Sequence, residues 1–371
     1  MSFFADQEKN PEKSTKPVVV ERTLNENKLK NVADVIRNPL TWPGNTPLKN
    51  DPASIMKPQL GDTPIKSEEQ LFGDRILIVT NMRSGSTFVG NILSYDSETY
   101  YAFEPLWMLG ETNRASKKNC SSYELPSLKD LLFDCKIDKF LDCFNGKIPR
   151  TRNRFTATRK NTNICKKKQH RVIKIIRFHQ LEKLVQELAT NGGTLLYLVR
   201  DPRGIMTSRK NVYKSWNQKY SGAFYKSELE SLCKSFETNL KFLATEFRKY
   251  SVAKQNRVVV LRYEDFAYAP QEMAEKLYKF LRREMDNNVK KYIRENTNGA
   301  KYADIWSTRR NSTATAEAWR KKINWQDLLL IQTTCSKVMS LLGYTTVNTA
   351  AELKASISLV ASIKADVPLL H

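Results

Sequence analysis

Acid is scarce in this chain relative to base. Its 371 residues include 39 Asp and Glu against 61 Lys and Arg, a formal net charge of +22. No apolar run approaches the roughly 20 residues of a membrane-spanning helix, and no secretory signal is legible at the start. The six cysteines fall at spacings that match no zinc signature. Histidine is limited to three residues, His170, His179 and His371, so few side chains can exchange a proton near neutral pH. No internal repeat is visible, which argues against a solenoid or a propeller.

The base is unevenly placed. Residues 1–70 hold ten charges of each sign and 8 of the 14 prolines, and read as an extended arm or stem with local order near Leu29–Ile36. The whole excess therefore lies in residues 71–371, which should bind something acidic: a nucleotide, a polyanionic glycan, a membrane surface or nucleic acid.

The rest of the chain is organised around one stretch. Ile76 to Val79 is an apolar run that reads as a buried parallel strand, and Phe88, Val89, Ile92 and Leu93 then recur at helical spacing. Between them lies Asn81-Met82-Arg83-Ser84-Gly85-Ser86-Thr87. Strand, Gly/Ser turn and helix start make an anion cradle, with backbone N–H groups and the helix dipole aimed at its occupant. Ser84, Ser86 and Thr87 add hydroxyls, and Arg83 adds a cation that grips two oxygens at once. The turn departs from the nucleoside-triphosphate loop, which requires G-x-x-x-x-G-K-[ST]. Its first Gly is missing, no Lys follows Gly85, and no seat for a metal is evident.

A second strand, Thr194 to Val199, runs into Arg200-Asp201-Pro202-Arg203. Pro202 suits the first turn of a helix with Asp201 as its cap. Arg200 at the strand's end and Ser208 two turns along the helix can meet at one more phosphate. A ligand with two anionic ends is implied.

These residues resemble a known family. T-N-M-R-S-G-S-T-F looks like the 5′-phosphosulfate loop of sulfotransferases, and L-V-R-D-P-R-G-I-M-T-S-R looks like their 3′-phosphate motif. Phe103-Glu104-Pro105-Leu106, Tyr263-Glu264-Asp265 and Ser307-Thr308-Arg309-Arg310-Asn311-Ser312 resemble further marks of the Golgi carbohydrate 6-O-sulfotransferases, across about residues 72–345. The resemblance implies a P-loop-like α/β fold: a parallel sheet of four or five strands flanked by helices. The co-substrate would be 3′-phosphoadenosine 5′-phosphosulfate, with no metal, and the acceptor a hydroxyl, 6-O by family, of an acidic glycan such as keratan or chondroitin. Arg83, Ser84, Gly85, Ser86, Thr87 and Phe88 would hold the phosphosulfate. Arg200 and Ser208, with Arg309 or Arg310 from a late basic loop, would hold the 3′-phosphate. The Tyr-Glu-Asp motif would tie its strand end to its neighbours. Family members are type II membrane proteins of the Golgi lumen. The absence of a membrane run leaves open a truncated or alternatively spliced form, or a soluble variant working in the cytosol.

Two residues compete as the base. Glu104 ends a short strand, Thr99–Phe103, expected next to the phosphate-loop strand, and would face the crevice where ligands of open α/β sheets bind. His179 follows the strand Val172–Ile176, where distantly related cytosolic sulfotransferases place a catalytic His. Arg83 with the loop amides would stabilise the leaving phosphate.

The domain is expected over residues 71–345, with an insertion at about 112–170 and a weakly patterned tail at 346–371. The insertion contains Cys120, Cys135, Cys143 and Cys165, disulfides in an oxidising lumen and thiols in the cytosol. Asn119-Cys120-Ser121 and Asn311-Ser312-Thr313 are glycosylation sequons. Twelve Lys or Arg and no acid lie between Asp142 and Glu182, a docking strip for a sulfated or carboxylated polymer. Two other functions compete: a P-loop kinase, opposed by the missing Lys, and a non-enzymatic polyanion binder. Nucleic acid is disfavoured because Phe155 is the only aromatic in the strip from Lys147 to Lys174.

Overall fold

The computed structural model describes residues 74–104, 134–136, 159–176, 181–215, 220–247, 257–299, 310–355 and 357–370. The arm at 1–70, most of the insertion, Cys120, Cys143, Asn119, His179 and Arg309 lie outside them.

The elements run β1 (Arg75–Thr80), α1 (Ser86–Ser94), β2 (Thr99–Phe103), α2 (Arg159–Lys167), β3 (His170–Ile175), α3 (Leu181–Asn191), β4 (Thr194–Val199), α4 (Pro202–Ser215), α5 (Gly222–Thr245) and β5 (Arg257–Arg262). There follow α6 (Tyr263–Tyr268), α7 (Pro270–Phe280), α8 (Asn287–Thr297), α9 (Ser312–Glu317), a 3₁₀ turn (Ala318–Lys321), α10 (Trp325–Thr334), α11 (Ser336–Leu341) and α12 (Ala350–Lys354).

The five strands form one sheet in the order β2-β3-β1-β4-β5, every pair parallel. The parallel arrangement follows from the alternation of strands with helices long enough to cross over. β1 is central, and Ile76 to Val79 are fully buried, as the continuous apolar run requires of a strand covered on both faces. The expectation that β2 lies beside β1 is corrected: β3 stands between them. β2 is only partly buried, with Tyr100, Tyr101 and Phe103 partly exposed, which suits an edge strand better than the centre.

The order has a functional consequence. After β1 the chain moves to the β2–β3 side, and after β4 to the β5 side. The carboxyl ends of the adjacent strands β1 and β4 therefore flank a crevice, where open parallel sheets bind ligands.

The residues after 345, expected to be weakly patterned, are packed. Val347 is fully buried and Leu359 nearly so, in a small core with Trp319 and Leu328. Val260 N–H of β5 donates to Pro368 O at 2.7 Å, and Leu369 bridges Val260 in parallel. The outer edge of β5 is thus covered rather than open.

Among the described residues there are two disulfides, Cys135–Cys165 and Cys233–Cys335. The first joins two of the four cysteines read as lumenal disulfides, and ties residue 135 to α2. The second ties α5 to the junction of α10 and α11. Among the described residues no helix is long and apolar enough to cross a membrane.

Candidate active site

The β1–α1 turn is built for close approach. Gly85 sits at φ 85°, a left-handed conformation that only glycine adopts without cost. A side chain there would also overlap the ring of Tyr263, the first residue of α6. Gly85 occupies the cap position of α1 without a capping side chain, so the first-turn N–H groups are left for a ligand. Ser84 N–H closes the turn on Asn81 O at 3.2 Å. The Ser84 side chain is fully buried, and its hydroxyl finds no protein partner.

Opposite the turn, Asp201 caps α4 by accepting Arg203 N–H at 2.8 Å. Arg200 at the end of β4 and Ser208 within α4 both meet the turn. Arg83 Nε–H donates to Ser208 Oγ at 2.9 Å, and Arg200 Nη1–H donates to Arg83 O at 3.0 Å. The Arg200 guanidinium lies 4.3 Å from the centre of the Tyr263 ring, while its Nε, buried, has no protein acceptor. Arg209 braces the turn from below, donating to Met82 O at 3.3 Å and to Glu228 at 2.9 Å.

Burial, and then the charges of Arg200 and Arg310, lower the Arg83 pKa to about 10. Three guanidinium groups therefore share one crevice, with Glu104 the acid that offsets them at Arg83. Such crowding of like charge is costly by itself and would be relieved by an anion.

Glu104 is held at this site by backbone and side chain. It is a non-glycine residue at φ 48°, as is Arg83 at φ 74°. Only four described non-glycine residues have positive φ, and two of them face this crevice, as expected where strain is kept for function. Glu104 N–H donates to Lys174 O at 3.1 Å, and Glu104 Oε1 pairs with Lys174 Nζ at 2.8 Å. Lys174, in the middle of apolar β3, is fully buried. It donates to Thr87 Oγ1 at 3.3 Å and lies 3.4 Å from the centre of the Phe103 ring.

The fold thus brings together Arg83, Ser84, Gly85, Ser86, Thr87, Glu104, Arg200, Ser208 and Arg310. Phe88 belongs to the hydrophobic core and its N–H is engaged by Gly85 O at 2.9 Å, so it fixes the helix start. His179 and Arg309 fall outside the described residues. Sequence reasoning missed two supports, Lys174 and Arg203, and read Tyr263 only as part of a motif that ties down its strand end. Lys174 was signalled by a lone charge inside a buried strand. Arg203, fully buried, pairs with Asp201 through Nε and Nη2 and donates Nη1–H to Gln332 Oε1 and Thr345 O, which explains its motif position as structural. Tyr263 is the platform under Gly85 and Arg200.

Glu264 follows Tyr263 and ties the motif down. Its carboxylate accepts Asp201 N–H at 3.1 Å and the Tyr344 hydroxyl at 2.9 Å. Burial, and then the nearby Asp201 charge, raises its pKa to about 7. Between the usual value near 4.5 and 7 the folded chain keeps a proton that the unfolded chain has lost. Its stabilising contribution is complete below that window and lost as pH rises through it, on the order of 3 kcal/mol in all. Melting temperatures from pH 4.5 to 7.5 should fall, and Glu264→Gln should flatten that slope; a slope unchanged in the variant would refute the assignment.

Sheet and crevice define an α/β protein with a cluster of guanidinium groups at the carboxyl edge of a parallel sheet and a carboxylate beside it. The chain belongs to the sulfotransferase family, whose domain model, described as "Sulfotransferase domain", matches residues 73–343. It is 28% identical over 349 residues to carbohydrate sulfotransferase 1 of Mus musculus, covering 77% of this chain and 83% of that one. Carbohydrate sulfotransferase 3 of Rattus norvegicus is 27% identical over 338 residues, with 77% and 71% covered. Among solved structures, a sulfotransferase domain from the curacin biosynthetic pathway matches at TM-score 0.46 and 17% identity, covering 74% of this chain and 99% of that one. A mouse sulfotransferase complexed with PAP matches at 0.42 and 15%, covering 73% and 88%.

Proposed function

We propose that this chain transfers a sulfuryl group from 3′-phosphoadenosine 5′-phosphosulfate to a sugar hydroxyl, at the 6-position, of an acidic glycan such as keratan or chondroitin. The observation that carries the reading is the cluster of Arg83, Arg200 and Arg310 around a glycine turn, with the buried Ser84 hydroxyl and Arg200 Nε lacking protein partners. These groups fit a donor with two anionic ends: Arg83 and residues 84–87 for the phosphosulfate, with Phe88 only fixing the helix start, and Arg200, Ser208 and Arg310, with Arg309, for the 3′-phosphate. The donor would supply an activated sulfuryl group on a phosphate leaving group. Arg83 and the turn N–H groups hold the phosphate oxygens and stabilise the charge they gain. Glu104 takes the proton of the acceptor hydroxyl as its oxygen bonds to sulfur. His179 is the rival for that proton. The relatives' names support a carbohydrate acceptor, and the basic strip between Asp142 and Glu182 supports an acidic one. Two disulfides support an oxidising, lumenal compartment such as the Golgi.

The test is transfer of labelled sulfate to desulfated keratan and chondroitin, followed by disaccharide analysis, beside melting curves with candidate ligands. Adenosine 3′,5′-bisphosphate without metal should raise the melting temperature. Stabilisation by ATP with Mg²⁺ instead would indicate a kinase, and by polyanion alone a binding protein.

A further inference from the structure

Lys174 belongs to neither phosphate motif, yet it touches both halves of the chemistry. Its side chain is fully enclosed, and an ammonium is not left in such a place without partners. Nζ has them on two sides: Glu104 Oε1 at 2.8 Å and Thr87 Oγ1 at 3.3 Å. Thr87 stands in the first turn of α1, at the anion cradle. Glu104 stands at the end of edge strand β2, two strands away from β1. β3 fills the gap, and the register sets Lys174 opposite Phe103 on one side and Ile78 on the other. The Phe103 ring, 3.4 Å from Nζ, closes the cation against water. The same residue fixes the backbone at Glu104, since Lys174 O accepts Glu104 N–H at 3.1 Å where the chain turns at φ 48°.

We propose that Lys174 is the positioning residue of the transfer site: it locks the Glu104 carboxylate to the phosphate turn, so that base and donor cradle act as one rigid unit. The inference rests on the sulfuryl-transfer reading and deepens it. A carboxylate placed by an edge strand alone would sit on the most mobile part of the sheet. The ion pair to a residue of the adjacent inner strand removes that freedom, and effective proton transfer demands such fixed geometry. Aliphatic replacement should therefore lower kcat through Glu104, with the donor cradle still formed by Arg83, Arg200 and the turn.

The experiment is a double-mutant cycle in kcat with Lys174→Met, Glu104→Gln and the pair together, with adenosine 3′,5′-bisphosphate affinity measured on each. Lys174→Met should lower kcat at least thirtyfold, roughly the scale of a displaced catalytic group, with nucleotide affinity changed less than about fivefold. The double variant, which removes both members of the ion pair together and so guards against misfolding, should be no slower than Glu104→Gln alone. Multiplying losses, a kcat unaffected by Lys174→Met, or a double variant that binds nucleotide but is much slower than Glu104→Gln would overturn the proposal. Wild-type protein that binds nucleotide yet transfers nothing to any glycan would instead overturn the sulfuryl-transfer reading beneath it.

Discussion

Glu104→Gln is expected to reduce kcat by about 10²–10⁴, the range for loss of a general base, while nucleotide binding stays nearly intact. The substitution keeps the shape of the side chain and its reach to Lys174 Nζ, now 2.8 Å away, because the amide oxygen still accepts. It removes only the capacity to take a proton from the acceptor hydroxyl. The anion cradle does not depend on it, since Arg83 is held by Ser208 and Arg200 is held by the turn. His179→Ala should cost much less. Steady-state kinetics of both variants with a labelled donor decide the matter, and near-normal turnover of the Gln variant beside a dead Ala variant would reverse the roles.

The second large effect concerns the donor. Arg200→Ala should raise the donor KM roughly ten- to hundredfold, since a charge-assisted hydrogen bond contributes about 1.5–3 kcal/mol. Arg200 is well placed for such a bond. Its Nη1 is occupied by Arg83 O and its face by Tyr263, yet its buried Nε has no protein acceptor. The guanidinium is thereby oriented before any ligand arrives, which saves the entropy of ordering it. Some of the loss would come through the turn, because Arg83 O would lose its donor. Titration calorimetry with adenosine 3′,5′-bisphosphate measures the binding directly, and an unchanged affinity would remove Arg200 from the donor site.

The strands and the turn were legible because their signals are local. Ile76–Val79 and Leu195–Val199 are apolar runs ended by charged or small residues, and the buried parallel sheet needs nothing else to be read. Gly85 and Pro202 announce the helix starts for reasons of backbone geometry alone. Strand order was not legible in the same way. The position of β3 between β1 and β2 depends on packing across the sheet, and no residue of Thr99–Phe103 states its neighbour. Lys174 escaped for the same reason, since its partners Glu104 and Thr87 are distant in sequence. The segment beyond 345 looked weakly patterned because its contacts are made by widely spaced single residues, Val347 and Leu359 in one small core and Leu369 against β5. The period of α5, like the strand signals, is local: Leu229, Leu232, Phe236, Leu240 and Leu243 recur at helical spacing and all lie buried.

Arg262 closes β5 by donating to Leu342 O and Ala361 O, and the next residue, Tyr263, supports Gly85. Val260, two residues before Arg262, donates its N–H to Pro368 O. The floor of the anion cradle therefore leans on chain made more than a hundred residues after the cradle itself. During synthesis the ribosome delivers the turn at residues 81–85 long before the segment at 361–368 that braces its support. A nascent chain stalled before that segment should hold nucleotide poorly, and competence should appear in one step once residues 361–368 are free to dock. Contacts this far apart in sequence also slow folding, so the cradle matures late even though its own residues are among the first of the domain to be made.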